Sequence, residues 1–539
     1  MHKIKTISVN YGDQSISNNG LVRLLMMAFF VFLFPRLVCA GELRLDEAIR
    51  LALAHNPDVK VQERQVDVAV GQRMEATGQF DLTLVSGANY SKAITPFIDN
   101  LNTLNQTLAI STGYQIGLNK ELRDGISLTT AMQAAAIQSS GYGVSPQLQQ
   151  NAMALNITLN VPLLKGGGSD EVTEAEDVGK INVVASQYGL RNQVVQTVYN
   201  TLQSYWNYLA SLELLKVAQS SEERSKNLLD SNQKLVDAAE KPRADLVLLK
   251  ADYADKIVAR QMAALTATNA KLALGRVLGI DAVAIRAMAD PIDGFPADMN
   301  AVSLVPRLEA MSSEALLIRP DVKVLALQLE AAQRHLLAAQ KKLRPQLNLS
   351  LGVNYTNVSA GGSPYGFIAD PSRPVSTPSV NVQLNYQFPI DNTQAKGSFL
   401  ENSALVDQLS VKQRDLEIDV TTSVDNALQS AIQTAAQLKI SQESLALYEQ
   451  AVSQEIIKQK NGISTLIDVI NVEARFVSAR VNYIQQQQAY ANALATLRLV
   501  TGTFLPNTAP FESGGNSFSL DIGSLVGLGP LNHYRSFPE

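Results

Sequence analysis

The chain repeats itself. Pro57-Asp58-Val59-Lys60-Val61 returns as Pro320-Asp321-Val322-Lys323-Val324, and FDLTLVSGANYS from Phe80 returns as PQLNLSLGVNYT from Pro345. Further on, Asn156, Leu159 and Asn160 match Asn381, Leu384 and Asn385, and Asp245, Leu274 and Gly279 match Asp468, Leu497 and Gly502. Four matches in one order are a duplication, so the repeat is the unit to interpret. The spacing between partners is 265 residues at the first strand and 225 at the second. The first copy therefore carries about forty extra residues between its strands.

Each copy reads helix, strand, strand, long helix, turn, helix. No proline lies between Pro162 and Pro242, or between Pro389 and Pro506, and proline is the surest breaker of a helix. Val198, Leu202, Tyr205, Leu209 and Leu212 keep the three-to-four spacing of a buried stripe; so do Leu416, Val420, Val424, Leu428, Ala431, Ala435 and Leu438. The pattern predicts long helices over about 170–238 and 396–460, each roughly 100 Å long. Shorter helices near 44–77 and 245–279 together match the length of the first rod. Segments near 306–343 and 465–501 match the second.

The strands have period two. Leu347, Leu349, Leu351, Val353 and Tyr355 alternate with Asn348, Ser350, Gly352, Asn354 and Thr356. Val380 to Phe388 and Leu155 to Val161 alternate in the same way. Ribbons of about ten residues, apolar on one face and uncharged polar on the other, suit a transmembrane barrel with a wet lumen. Two strands per copy give four per chain, too few to close a barrel, so several copies must share one. The extra segment contains GYQIGLNKELRDGISLTTAM, with Asp124-Gly125 as a hairpin turn. Sequence leaves open whether this hairpin joins the barrel or decorates its end.

The amino terminus reads as an export signal. An apolar run from Leu24 to Phe34 follows Lys3, Lys5 and Arg23, and Val38 and Ala40 place cleavage after residue 40. Arg36 and Val38 fit poorly with lipid attachment at Cys39, the single cysteine. Charged residues are 18 % of the chain and the net charge is −5, which argues against extended disorder and against a nucleic-acid partner. No GxxxxGK[ST], HExxH or GxSxG pattern occurs, so the sequence points to no enzyme, no cofactor and no resident metal. The glycines at 166–168 read as a flexible joint, and Tyr205, Trp206 and Tyr208 as packing. The organisation predicted is a signal peptide over 1–40, a first structural repeat over 41–290, a second over 291–503 and a Gly/Ser-rich tail over 504–539.

LRLDEAIRLALAHNPDVKV, RPDVKVLALQLEAAQRHLLAAQKKLRPQLNLS, NITLNVPLLKGGG and NGISTLIDVINVEARFVSARVNY, taken with the duplication, resemble the TolC-like outer-membrane efflux proteins across nearly all of residues 44–503. The fold class expected is mainly α with a β part: a duplicated long-helix coiled-coil tunnel and a transmembrane β-barrel shared by a homotrimer, with four strands from each chain. The resemblance implies a 12-stranded barrel in outer-membrane lipid, a helical tunnel in the periplasm, and docking to a periplasmic adaptor and an inner-membrane pump. The function expected is a passive exit duct, gated at its periplasmic end. A soluble periplasmic coiled-coil scaffold is the alternative, and it would have no need of two-faced strands.

The two helical turns would be the inward tips that dock the adaptor: Lys241, Pro242 and Arg243 in the first, Gly462, Ile463 and Ser464 in the second. By the resemblance, Asp245 and Asp468 line the closed aperture, Asn471 stands where the family has a second acid, and Ser464 where it has an arginine. The first turn lacks the family's glycine. Independently of the family, three copies of Asp468 would make an anionic ring that favours cations. The other reading of Asp468 is a solvated helix-start carboxylate.

Overall fold

A computed structural model describes residues 43–98, 103–141, 148–239, 242–296, 308–360 and 376–504. The predicted signal peptide, Cys39 and nearly all of the predicted tail lie outside these residues. The chain opens with α1 (Leu45–His55) and α2 (Pro57–Gly78), then runs through β1 (Thr83–Ile98), β2 (Leu104–Glu121), β3 (Ser127–Gly141) and β4 (Leu148–Pro162). A short α3 (Ser169–Val172) leads to α4 (Glu174–Asp237), α5 (Ala244–Leu278) and α6 (Ala282–Ala287). The second half has α7 (Leu308–Ile318), α8 (Pro320–Lys342), β5 (Gln346–Ala360), β6 (Ser376–Gln387), α9 (Thr393–Lys460) and α10 (Leu466–Val500). No helix among the described residues is long and apolar enough to cross a membrane.

The long rods α4 and α9 have 64 and 68 residues, which places their ends about 100 Å apart. The two helices predicted near 44–77 and 306–343 are each broken in two. Pro57 and Pro320 occupy the first turn of the following helix, and the residues before them, Asn56 and Arg319, are extended at ψ 126° and 128°. A proline disfavours helical backbone in its predecessor, so the break falls where the repeated PDVKV begins. Asn56 then caps α2, accepting from the backbone N–H of Asp58 at 2.8 Å. Arg319 instead holds Asp321 with two N–H groups (3.1 and 2.6 Å) and donates to the Val500 carbonyl at 3.3 Å, tying α8 to the end of α10.

The stripes read from sequence form the core. Val198, Leu202, Tyr205 and Leu209 pack with Leu45, Ile49, Leu274 and Leu278, while Val420, Val424, Leu428 and Ala431 pack with Met311 and Leu497. The Tyr205 hydroxyl donates to the Leu43 carbonyl and meets Asp293 Oδ2, each at 3.0 Å. Asp293 also accepts from the Leu45 N–H at 2.6 Å. Tyr208 donates to Asp290 at 2.5 Å. Burial, with the neighbouring carboxylates, pushes both phenols up, so they remain donors.

The helices form a layer in which α4 touches α2, α5, α8 and α10, and α9 touches α8 and α10. One flank is thus α2 with α5, and the other is α9. All strands form one antiparallel sheet in the order β1-β2-β3-β4-β5-β6. Among the described residues six strands stand where four were expected, because the extra segment of the first half supplies β2 and β3 in unbroken register. The strands have 12 to 18 residues rather than about ten, since their ladders continue past the strictly alternating stretches.

Candidate functional site

Two regions combine position and chemistry: the far turns of the rods, and the seam where sheet meets helices. At the second turn the backbone N–H of Gly462 reaches the Gln459 carbonyl at 3.1 Å, and that of Ile463 reaches the Lys458 carbonyl at 2.9 Å. Gly462 sits at φ 73°, the left-handed backbone that ends a helix most easily in glycine. Thr465 and Asp468 then form a capping box at the start of α10. Asp468 N–H donates to Thr465 Oγ1 at 3.2 Å, and Thr465 N–H and Oγ1 donate to Asp468 Oδ2 at 3.0 and 2.5 Å. The Thr465 hydroxyl and backbone hydrogen bonds hold the Asp468 carboxyl below the usual aspartate value. Ser464 donates to Glu455 near the end of α9, and that bond, with Lys458 at 3.1 Å, lowers Glu455 too.

The structure therefore brings Ser464, Thr465, Asp468 and Glu455 together. Ile463 and Asn471 are exposed nearby. Asp245 is half-buried at the start of α5, on the other turn, beside exposed Pro242 and Arg243. Lys241 lies outside the described residues. Where glycine is lacking in that turn, Ala239 takes the left-handed backbone at φ 61°. Behind the turns a cleft of 520 Å³ opens between α4, α5, α9 and α10, crossed by an Arg224–Glu473 ion pair of 2.5 Å.

The seam holds residues that the sequence did not single out. Arg123, in the β2–β3 turn, donates to both oxygens of Glu176 at 2.8 and 3.1 Å, and its guanidinium lies 4.8 Å from the centre of the Phe80 ring. Glu176 is buried, and the Arg123 hydrogen bond holds its carboxyl below the usual value. The Gly168 N–H reaches the Asp124 carbonyl at 3.2 Å. Gly166 and Gly168 sit at φ 81° and 92°, and Gly166 N–H donates to Glu171 at 2.8 Å. The glycine run expected as a joint is a tight turn packed on the hairpin. Across the seam Glu174 meets His335 Nδ1 at 2.6 Å and Lys342 at 3.2 Å, and Asp170 meets Lys341 at 2.8 Å.

Burial pushes the Glu174 carboxyl up, but the His335 hydrogen bond and the Lys342 charge outweigh it and leave it below the usual value. A carboxyl lowered by folding stabilises above its unfolded pKa, and that contribution is lost as pH falls through the folded value. The contribution of this carboxyl to thermal stability is expected to be lost as pH falls below about 4. Glu174→Gln should flatten part of the acid limb of the stability curve in a series of melts at stepped pH. An unchanged acid limb would remove Glu174 from it.

Residues 311–503 match the family described as Outer membrane efflux protein. The toluene efflux pump outer membrane protein TtgF of Pseudomonas putida is 25 % identical over 209 residues, 38 % of this chain. The chain spans 42 % of the length of that relative. Among solved structures, the Campylobacter jejuni CmeC outer membrane channel superimposes with a TM-score of 0.64 at 15 % identity, covering 97 % of this chain and 98 % of CmeC. The Neisseria gonorrhoeae MtrE outer membrane channel in its open state gives 0.59 at 16 % identity, over 85 % and 89 % of the two chains. Residues 311–503 thus resemble the outer membrane efflux protein family, and the chain as a whole shares the fold of the CmeC and MtrE outer membrane channels.

Proposed function

We propose that the chain is the outer-membrane exit duct of a tripartite efflux system, a passive homotrimeric channel. The observation that carries this reading is the pairing of a two-faced sheet with helices about 100 Å long. In one row across the sheet, Leu84, Leu118, Thr130, Ile157, Val353 and Val380 are partners on one face. In a neighbouring row, Val85, Gly117, Ala131, Asn156, Asn354 and Ser379 are partners on the other. Leu84, Leu118, Ile157 and Val353 are exposed in the single chain, and lipid is the solvent that suits that band. The polar face then lines the lumen. Helices of this length reach across the periplasm, where their tips meet an adaptor and, through it, an inner-membrane pump that supplies the energy.

The duplication supports a first repeat over 41–290 and a second over 291–503 as the two building blocks of each protomer. In this reading the tips at Pro242, Arg243, Gly462, Ile463 and Ser464 dock the adaptor, and Asp245, Asp468 and Asn471 line the aperture that opens on docking. Membrane fractionation and a detergent-resistant trimer test the duct. A monomer extractable without detergent would favour the scaffold instead.

The capping box gives Asp468 a second role, and two substitutions separate them. Asn keeps an acceptor for the Thr465 N–H but loses the charge; Ala loses both. If the ring exists, Asp468→Asn weakens divalent-cation block in planar bilayers on the order of tenfold, because three charges leave one site. If only Asp468→Ala changes conductance, Asp468 is a cap and not part of the gate.

A further inference from the structure

From the register of the added hairpin we infer that each chain gives six strands, not four, to the barrel, so that the trimer closes an eighteen-stranded barrel. This rests on the trimeric duct proposed above. Three observations support it. First, β2 pairs with β1 over Leu104 to Asn119 and β3 with β4 over Ser127 to Ser139, ladders at least as long as the one between β4 and β5. Second, they carry the same two faces in phase. Tyr114, Ile116 and Leu118 on β2 and Leu128 and Met132 on β3 extend the exposed apolar band, while Gln115 and Gln133 are cross-strand partners on the polar face. A hairpin folded over a barrel mouth has no use for a lipid face continuous with its neighbours.

Third, the hairpin's turn is built into the seam. Arg123 grips Glu176 at the start of α4, Lys120 donates to the Phe80 carbonyl, and Asp124 receives the Gly168 N–H. A Cβ on Gly125 would run into the Gly166 carbonyl. These contacts fix the turn level with the points where β1 begins and β4 ends.

The arc lengths agree as well. Six strands about 4.8 Å apart and tilted about 40° span roughly 38 Å of circumference. The helical layer is four rods wide, and rods about 8–10 Å apart span roughly 32–40 Å, a range that includes this arc. Four strands would span only about 25 Å.

The occupant of each open edge is a second copy of the chain. Within the described residues β1 pairs only with β2 and β6 only with β5. The helix leading into β1 is α2 and the helix leaving β6 is α9, so sheet and helical layer open on the same two flanks. Val61 and Met74 on α2, and Val411 and Leu447 on α9, are exposed there. One flank meeting the other is a head-to-tail contact, the kind that closes a ring. The backbone diameter rises with strand number to roughly 36 Å, about one and a half times that of twelve strands.

Electron cryo-microscopy of the full-length protein purified from membranes into nanodiscs counts the strands, and native mass spectrometry counts the copies. The expected result is three copies and eighteen strands, with β1 hydrogen-bonded to β6 of the neighbouring copy. Three copies with twelve strands, the hairpin lying off the barrel, would overturn the inference and leave the duct intact. Two copies with twelve strands would keep six strands per chain but overturn the trimer and the eighteen-stranded closure. A water-soluble monomer would remove the duct itself.

Discussion

Gly125→Val is expected to abolish the detergent-resistant oligomer in the membrane fraction while leaving most of the helical circular-dichroism signal. Gly125 holds φ 84° in the β2–β3 turn, a backbone conformation that costs a β-branched residue about 1–3 kcal/mol. The larger obstacle is steric. The new Cβ would collide with the Gly166 carbonyl and would stand 3.1 Å from Pro162 and Val172 side-chain atoms. Backbone on both sides of that contact leaves no side chain to swing aside. The collision separates the hairpin from the seam, and β2 and β3 lose their alignment with β4. Oligomer at wild-type yield from the valine variant would show that the turn does not hold the sheet.

The second large effect is expected at Tyr205. Its side chain is 0 % exposed, and Ala there should destabilise the chain by about 3–5 kcal/mol, as large-to-small changes of buried aromatics do. Tyr205→Phe keeps the ring but leaves the Leu43 carbonyl without its hydroxyl donor, for about 1 kcal/mol. Denaturant melts followed by helical signal measure both. A loss below about 1 kcal/mol for Ala would mean that the Leu43–Asp293 corner does not depend on this residue.

Much of the fold was legible because its signals are local. Proline-free spans and regular stripes predicted rods at 170–238 and 396–460, and the rods lie at Glu174–Asp237 and Thr393–Lys460. The breaks at Pro57 and Pro320 were legible in principle, since proline constrains the residue before it; helices placed by matching the length of the rods run straight through them. The strand number was not. Counting strands by their counterparts in the other repeat misses those that have none, and β2 and β3 exist only in the first half.

The candidate site divides the same way. Gly462 and the Thr465 cap follow from residue type and neighbours a few positions away. Arg123 and Glu176 are 53 residues apart, and nothing local marks them as partners until the sheet has placed the turn. The aperture role proposed for Asp468 depends on how copies of the chain face one another, which one chain's sequence does not contain.

The open edges of the sheet carry a consequence for how the protein is made. A newly exported chain has a greasy face and two unpaired ladders at once, a combination that recruits any passing strand. If the proposed trimer is its end state, such a chain has no finished state to rest in before its siblings arrive. In the trimeric duct proposed above, biogenesis would therefore depend on escort through the periplasm, and on enough chains reaching the same patch of membrane together. Shortage of chaperone should deplete this protein through aggregation before it affects a porin that completes its barrel from a single chain.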